Sequence, residues 1–295
     1  MSAKKPGPPN AAGSSPTKLR QIALVARDLE KAKEVLTKVL GTEVIYVDPE
    51  VGQWGLENIL LAVGGEVIEV VSPKQPGTTA GRLLDRRGDG GYMIIMQTED
   101  AKKRKEYIES NALAKVIWTH EGEDSFGAQY HPKGIRGGVM PELDSQAATT
   151  EYPKPLTTRF SPWHPCGPDV KSYTSKMERY GHLSLLGAVC RLQPGDWGSE
   201  LASTQWEQIF GVPRSRDLIQ FTNARVGFLH GEDGQPEGII SITIGVVGER
   251  RRQEIFQRAK EMGVLDGDQS GKWVNMVGVK WYFALTSEDE WPSKL

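Results

Sequence analysis

Cysteine is scarce in this chain: only Cys166 and Cys190 occur among 295 residues. Two are too few for the disulfide framework of a small secreted domain or for a four-ligand zinc knuckle, so a reducing, cytoplasmic setting is expected. An excess of either charge is also missing, since 36 Lys and Arg stand against 38 Asp and Glu, a formal net charge of -2. Nucleic acid and anionic membrane surfaces usually draw on a pronounced basic excess, so neither is an expected partner. No apolar run approaches the roughly 20 residues that span a bilayer. There is no Walker loop, nucleophile elbow or Cys-x-x-Cys pair. The glycines of Gly88-Asp-Gly-Gly91 lead into an apolar run rather than out of a strand into a helix, which argues against a dinucleotide fingerprint. What remains is small-molecule chemistry or protein contacts.

What is present is a repeated unit. The run Leu19 to Ala26 is strand-like, Asp28 can cap a helix over Leu29 to Leu40, and Gly41 can close it in a left-handed turn. Short β-rich stretches follow at Glu43 to Val47, Ile59 to Val63 and Val67 to Val71, parted by Gly64-Gly65 and stopped by Ser72-Pro73. A short helix is expected over Thr78 to Arg87. The same β-α-β-β-β order restarts at Tyr92 to Thr98, with Asp100 as cap, and reaches Leu143. Looser copies begin at His182 and Gly238. Units of about 50 residues that resemble one another mean a repeated architecture. The expected organisation is therefore α+β: a disordered tail over 1–18, a first domain over 19–150, a Pro- and aromatic-rich linker over 151–180, and a second domain over 181–295.

This order, with Gln21-Ile-Ala-Leu-Val-Ala-Arg-Asp-Leu29, resembles the vicinal oxygen chelate superfamily of glyoxalases, bleomycin-resistance proteins and extradiol dioxygenases. The resemblance is good over Leu19 to Asp144 and weak over His182 to Leu285. It implies paired βαβββ modules curving a mixed sheet around a cleft, with a divalent metal on the concave face. Carried onto this sequence, the ligand positions fall on Gln21, Glu69 and Glu142, and the fourth, commonly histidine, falls on Met93. A thioether is a poor ligand for Mg, Mn or Fe(II), so the resemblance leaves a partial oxygen site for Zn, Ni, Mn or Mg and disfavours ring-cleaving iron chemistry. The implied function is a small-molecule lyase or isomerase in which the metal polarises a carbonyl and a base moves the neighbouring proton. Two other readings stay open: a non-catalytic binding protein of the bleomycin-resistance type, and a metal-free enzyme of specialised metabolism. Exchange of modules between subunits, common in the superfamily, makes a homodimer an expectation.

Each candidate residue also has a plainer role. Gln21 can satisfy backbone groups, and Glu69, in phase with Val67 and Val71, is costly to bury unless paired but merely solvated on an edge strand. Glu142 follows Pro141, which suits an edge or a bulge. His131, shortly before the Glu142 strand, is a candidate base or a turn histidine before proline. Arg82 and Arg86 can receive an anionic substrate group or form surface pairs. Tyr92, like Met93, is a candidate contact to substrate. It cannot simply replace Met93, because neighbouring strand residues point to opposite faces. His164 reads as linker packing. In the second half the corresponding strands offer Gly, Phe, Trp or Tyr, so no metal is expected there.

Overall fold

A stretch buried along its whole length forms the first strand, β1 (Thr17–Val25), and capping fixes the helix after it. In the computed structural model, which describes residues 16–268 and 271–287, Asp28 accepts from Lys31 N at the start of α1 (Leu29–Leu40), and Gly41 ends it at φ 69°. β2 (Val44–Tyr46), β3 (Leu56–Val63) and β4 (Glu66–Pro73) complete the first module. After α2 (Thr79–Arg87), the second module runs β5 (Gly90–Thr98), α3 (Ala101–Ser110), β6 (Val116–Glu121), β7 (Ser125–Tyr130) and β8 (Met140–Gln146). The strands form one sheet in the order β2-β3-β4-β1-β5-β8-β7-β6.

α4 (Val170–Arg179) leads to a second half: β9 (Leu183–Arg191), α5 (Ser199–Phe210), β10 (Arg214–Ser215), β11 (Leu218–Gln220) and β12 (Arg225–Leu229). It closes with β13 (Gly238–Val247), α6 (Glu249–Glu261), β14 (Leu265–Asp268), β15 (Gly271–Met276) and β16 (Val279–Thr286). Their order, β10-β11-β12-β9-β13-β16-β15-β14, repeats the first sheet strand for strand. The fold is α+β with tandem βαβββ modules paired into two eight-stranded mixed sheets. Ile22 and Leu36 of the first half share one apolar core with Ile242 and Ile255 of the second.

Several expectations change. β1 begins at Thr17, two residues inside the expected tail, and Lys18 is buried there against Glu66 at 2.9 Å. The segment expected as a linker covers part of the first sheet's concave face: Trp163, Cys166, Tyr173 and Met177 pack on Ala23, Leu60 and Met93. Its passage explains Gly65, where a Cβ would lie 2.1 Å from Arg159 O, while one on Gly64 would lie 2.2 Å from Leu183 O at the start of β9. The basic runs on α3 and α6 form surface ion pairs, such as Lys105 with Glu109, while Arg104 donates to the carbonyls of Gln208 and Ile209 at the end of α5. Among the described residues no helix is long and apolar enough to cross a membrane.

Candidate functional site

Register places the candidate residues. β1 and β5 pair antiparallel around Ile22 and Ile94, so their approximate two-fold exchanges Gln21 with Met93 and Ala23 with Ile95. Glu69 pairs with Ala23, and Glu142 pairs with Ile95. The two glutamates are therefore equivalent positions of the two modules, and Gln21 and Met93 are the other equivalent pair. The same operation on the second sheet, around Ala188 and Ile242, gives Gly187, Ser241, Gly227 and Tyr282. No carboxyl group stands at any of those four positions.

Glu69 and Glu142 lie on interior strands, 7% and 4% exposed, which removes the edge-strand reading for both. Pro141 precedes the first residue of β8 that pairs with β7, so its missing N–H removes no bond from that ladder. The glutamates help line a cavity of 720 Å³ on the concave side of the first sheet. Tyr92 and Met93 both line it as well. Strict alternation forbids that, but the register shifts between Ala23–Met93 and Leu24–Gly91, leaving Tyr92 as an extra residue in a bulge that turns it to the same face. Tyr92 is held protonated, with its pKa pushed up to about 12, chiefly by burial.

Glu69 is held by two amides. Asn58 Nδ2 donates to Oε1 at 2.6 Å, and Gln21 Nε2 donates to Oε2 at 2.9 Å. Gln21 Oε1 in turn accepts from the Trp163 indole at 2.8 Å. An indole N–H only donates, so the orientation of the Gln21 amide is determined: its nitrogen faces Glu69 and its oxygen faces Trp163. A shared metal would need the oxygen beside Glu69. The Gln21, Glu69 and Glu142 set therefore does not fit a three-oxygen cation site in this arrangement. Burial raises the Glu69 pKa to about 7 despite the two amide donors, and raises that of Glu142 well above the ordinary carboxyl range, with Asp144 adding to the effect.

The sequence reading missed a second cluster. Asp144 lies two residues beyond Glu142 on the same face of β8, and its Oδ2 is 2.9 Å from His164 Nε2. Gly127, paired with Asp144, leaves room for the contact, since a Cβ there would stand 2.6 Å from Asp144 Oδ1. The His164 ring stacks on His120 at 4.8 Å, and Trp118 and Trp54 continue this row of rings along the cavity wall. Burial lowers the pKa of both histidines and so favours the neutral imidazole. Glu142, Asp144 and His164 each offer a ligand atom within 4.8 Å of the others, so they could hold a cation where Gln21 does not fit. The Glu-Leu-Asp spacing of β8 was the available signal for Asp144. Nothing local marked His164, which arrives from 20 residues downstream.

His131 lies in the turn after β7, outside the cavity lining, where its Nδ1 accepts from Lys133 N. The imidazoles that do line the cavity are His120 and His164. Neither Arg82 nor Arg86 lines it: Arg82 is engaged by Gly77 O and Thr79 Oγ1, and Arg86 by Arg82 O.

No family model and no curated protein matches the chain. Among solved structures, a hypothetical protein from Staphylococcus aureus aligns over 92% of this chain and 100% of its own, with TM-score 0.57 and 11% identity. Methylmalonyl-CoA epimerase from Streptomyces coelicolor aligns over 45% of this chain and 100% of its own, at TM-score 0.41 and 22% identity. The enzyme of the same name from Mycobacterium tuberculosis covers 47% of this chain and 93% of its own, at 0.40 and 23%. Strand order and module pairing give a fold of tandem βαβββ modules paired into two sheets, shared over most of this chain with the Staphylococcus aureus structure.

Proposed function

We propose that the protein is a small-molecule isomerase or lyase that moves a proton on a carbon next to a carbonyl, using Glu69 and Glu142 as its acid–base pair. The observation that carries this reading is the placement of two equivalent carboxyl groups, both with raised pKa, on the floor of one cavity. At neutral pH a group with a pKa near 7 exists in both forms, so Glu69 as carboxylate can accept the substrate proton. Glu142, protonated by its burial, can supply a proton to the enol or enolate. The two glutamates then exchange protons with solvent to reset. His164, held by Asp144, stands beside Glu142 and can orient the substrate carbonyl or relay that proton.

A second reading has its own support. The grouping of Glu142, Asp144 and His164 favours a divalent ion bound there rather than on Gln21. An ion of this kind would supply Lewis-acid polarisation of the carbonyl.

The test is incubation in D2O with a panel of α-hydroxy and α-amino ketones, followed by NMR, with and without chelator. Deuterium should enter next to the carbonyl, unaffected by chelator, with the rate falling about 10²–10⁴-fold in Glu142→Gln. Loss of exchange on chelation would favour the ion. Ligands bound and recovered without deuterium would instead indicate a sequestration protein.

A further inference from the structure

We infer that the cavity takes an amine cation carried on an aromatic or apolar body, and not an anionic substrate. This rests on the cavity being the reaction site and names the substrate class for it. Four carboxyl residues line the cavity: Asp48, Glu50, Glu69 and Glu142. Among the described residues no lysine or arginine does.

The cations nearest in sequence are already engaged. Arg82 is hydrogen-bonded to Gly77 O and Thr79 Oγ1, and Arg87 to Gly138 O and Glu237. An anionic group entering the cavity would meet carboxyl groups in a lining without lysine or arginine, with the Arg82 charge reaching Tyr92 only from outside that lining. An ammonium would meet the carboxylates of Asp48 and Glu50 and ring faces together.

The rings are placed for that. Trp54 and Trp118 meet edge to face at 5.8 Å, and Tyr46 and Tyr92 line other parts of the cavity. Trp54 is 41% exposed, so part of its ring stays open beside Trp118. Aromatic faces beside carboxylates attract ammonium groups by the ring quadrupole and by charge. Asp48 is held rigidly: its N–H donates to Asn58 Oδ1, and its Oδ1 accepts from Glu50 N at the start of the 3-10 turn over Pro49–Trp54. One carboxylate oxygen therefore serves the turn, while the charge stays at the cavity.

Three probes of matched shape test this: phenethylamine, 2-phenylethanol and 3-phenylpropionate, titrated against the full chain by NMR or tryptophan fluorescence. The amine should bind about tenfold or more tightly than the carboxylate, with the alcohol between. The preference should shrink with added salt and in the Asp48→Asn, Glu50→Gln double variant, where asparagine retains the helix cap. Equal or tighter binding of the carboxylate overturns the inference, as does an absence of discrimination, including binding of none of the three. An amine preference without deuterium exchange into ketones would sink the catalytic reading and keep this one. Exchange with the opposite charge preference would do the reverse.

Discussion

The Trp163 indole donates to Gln21 Oε1 at 2.8 Å, joining the segment between the two sheets to the first strand of the chain. That bond orients the Gln21 amide and so directs its nitrogen to Glu69. Trp163→Phe removes the donor and leaves a buried carbonyl oxygen unpartnered, at a cost of about 1–3 kcal/mol. Urea unfolding at neutral pH measures it, and a variant as stable as the parent would show that the bond does not hold the amide.

Glu69 makes folding depend on pH in a defined direction. Its pKa rises from about 4.5 in the unfolded chain to about 7 in the folded one. The folded state therefore binds more protons between those values, and the contribution present below pH 4.5 is lost as pH rises through 7. Over that window the stability of Glu69→Gln relative to the parent should increase by roughly 3 kcal/mol, whatever its constant offset. Denaturation at several pH values reads the difference, and a difference independent of pH would refute the shift.

Histidines 131 and 164 should separate cleanly. His131→Ala alters an exposed turn, so stability should change by about 0.5 kcal/mol or less and deuterium exchange should persist. His164→Asn and Asp144→Asn break the buried pair at 2.9 Å and should slow exchange about 10–100-fold while moving its pH profile. Equal rates in all three variants would remove the pair from the reaction.

Gly65→Ala tests how the segment crosses the first sheet. A Cβ at this position would sit 2.1 Å from Arg159 O, which is backbone and cannot rotate away. Overpacking of this kind costs about 1–3 kcal/mol or more. A melting temperature equal to the parent's would mean that the crossing is looser than described.

The fold was legible because its signals are local. Asp28 and Gly41 bound α1 where expected, and β1, β4, β5 and β8 carry recognisable apolar runs. The resemblance put Glu69 and Glu142 on the closing strands of the two modules, and the pairing register relates the two positions by the same two-fold. Three features were not legible. The bulge at Tyr92 depends on partner register, which strand alternation alone does not reveal. The 3-10 turn over Pro49–Trp54, which brings Asp48, Glu50 and Trp54 to the cavity, has no apolar periodicity. Trp163 and His164 sit in a proline-rich stretch whose composition says only that it is irregular, and their partners are Gln21 and Asp144, far away in sequence.

The central claim is that two equivalent buried carboxyl groups remain protonatable near neutral pH and are not bound up in an oxygen cation site with Gln21. Carboxyl-carbon NMR titration of glutamate-labelled protein, with Glu69 and Glu142 assigned by substitution and the series repeated with added Zn or Mg, tests it directly. The account predicts a Glu69 midpoint near 7, Glu142 above the ordinary carboxyl range, and a Glu69 curve unmoved by the divalent ion. Both groups titrating near the usual glutamate value of about 4.3, or a divalent ion abolishing the Glu69 titration, would contradict it.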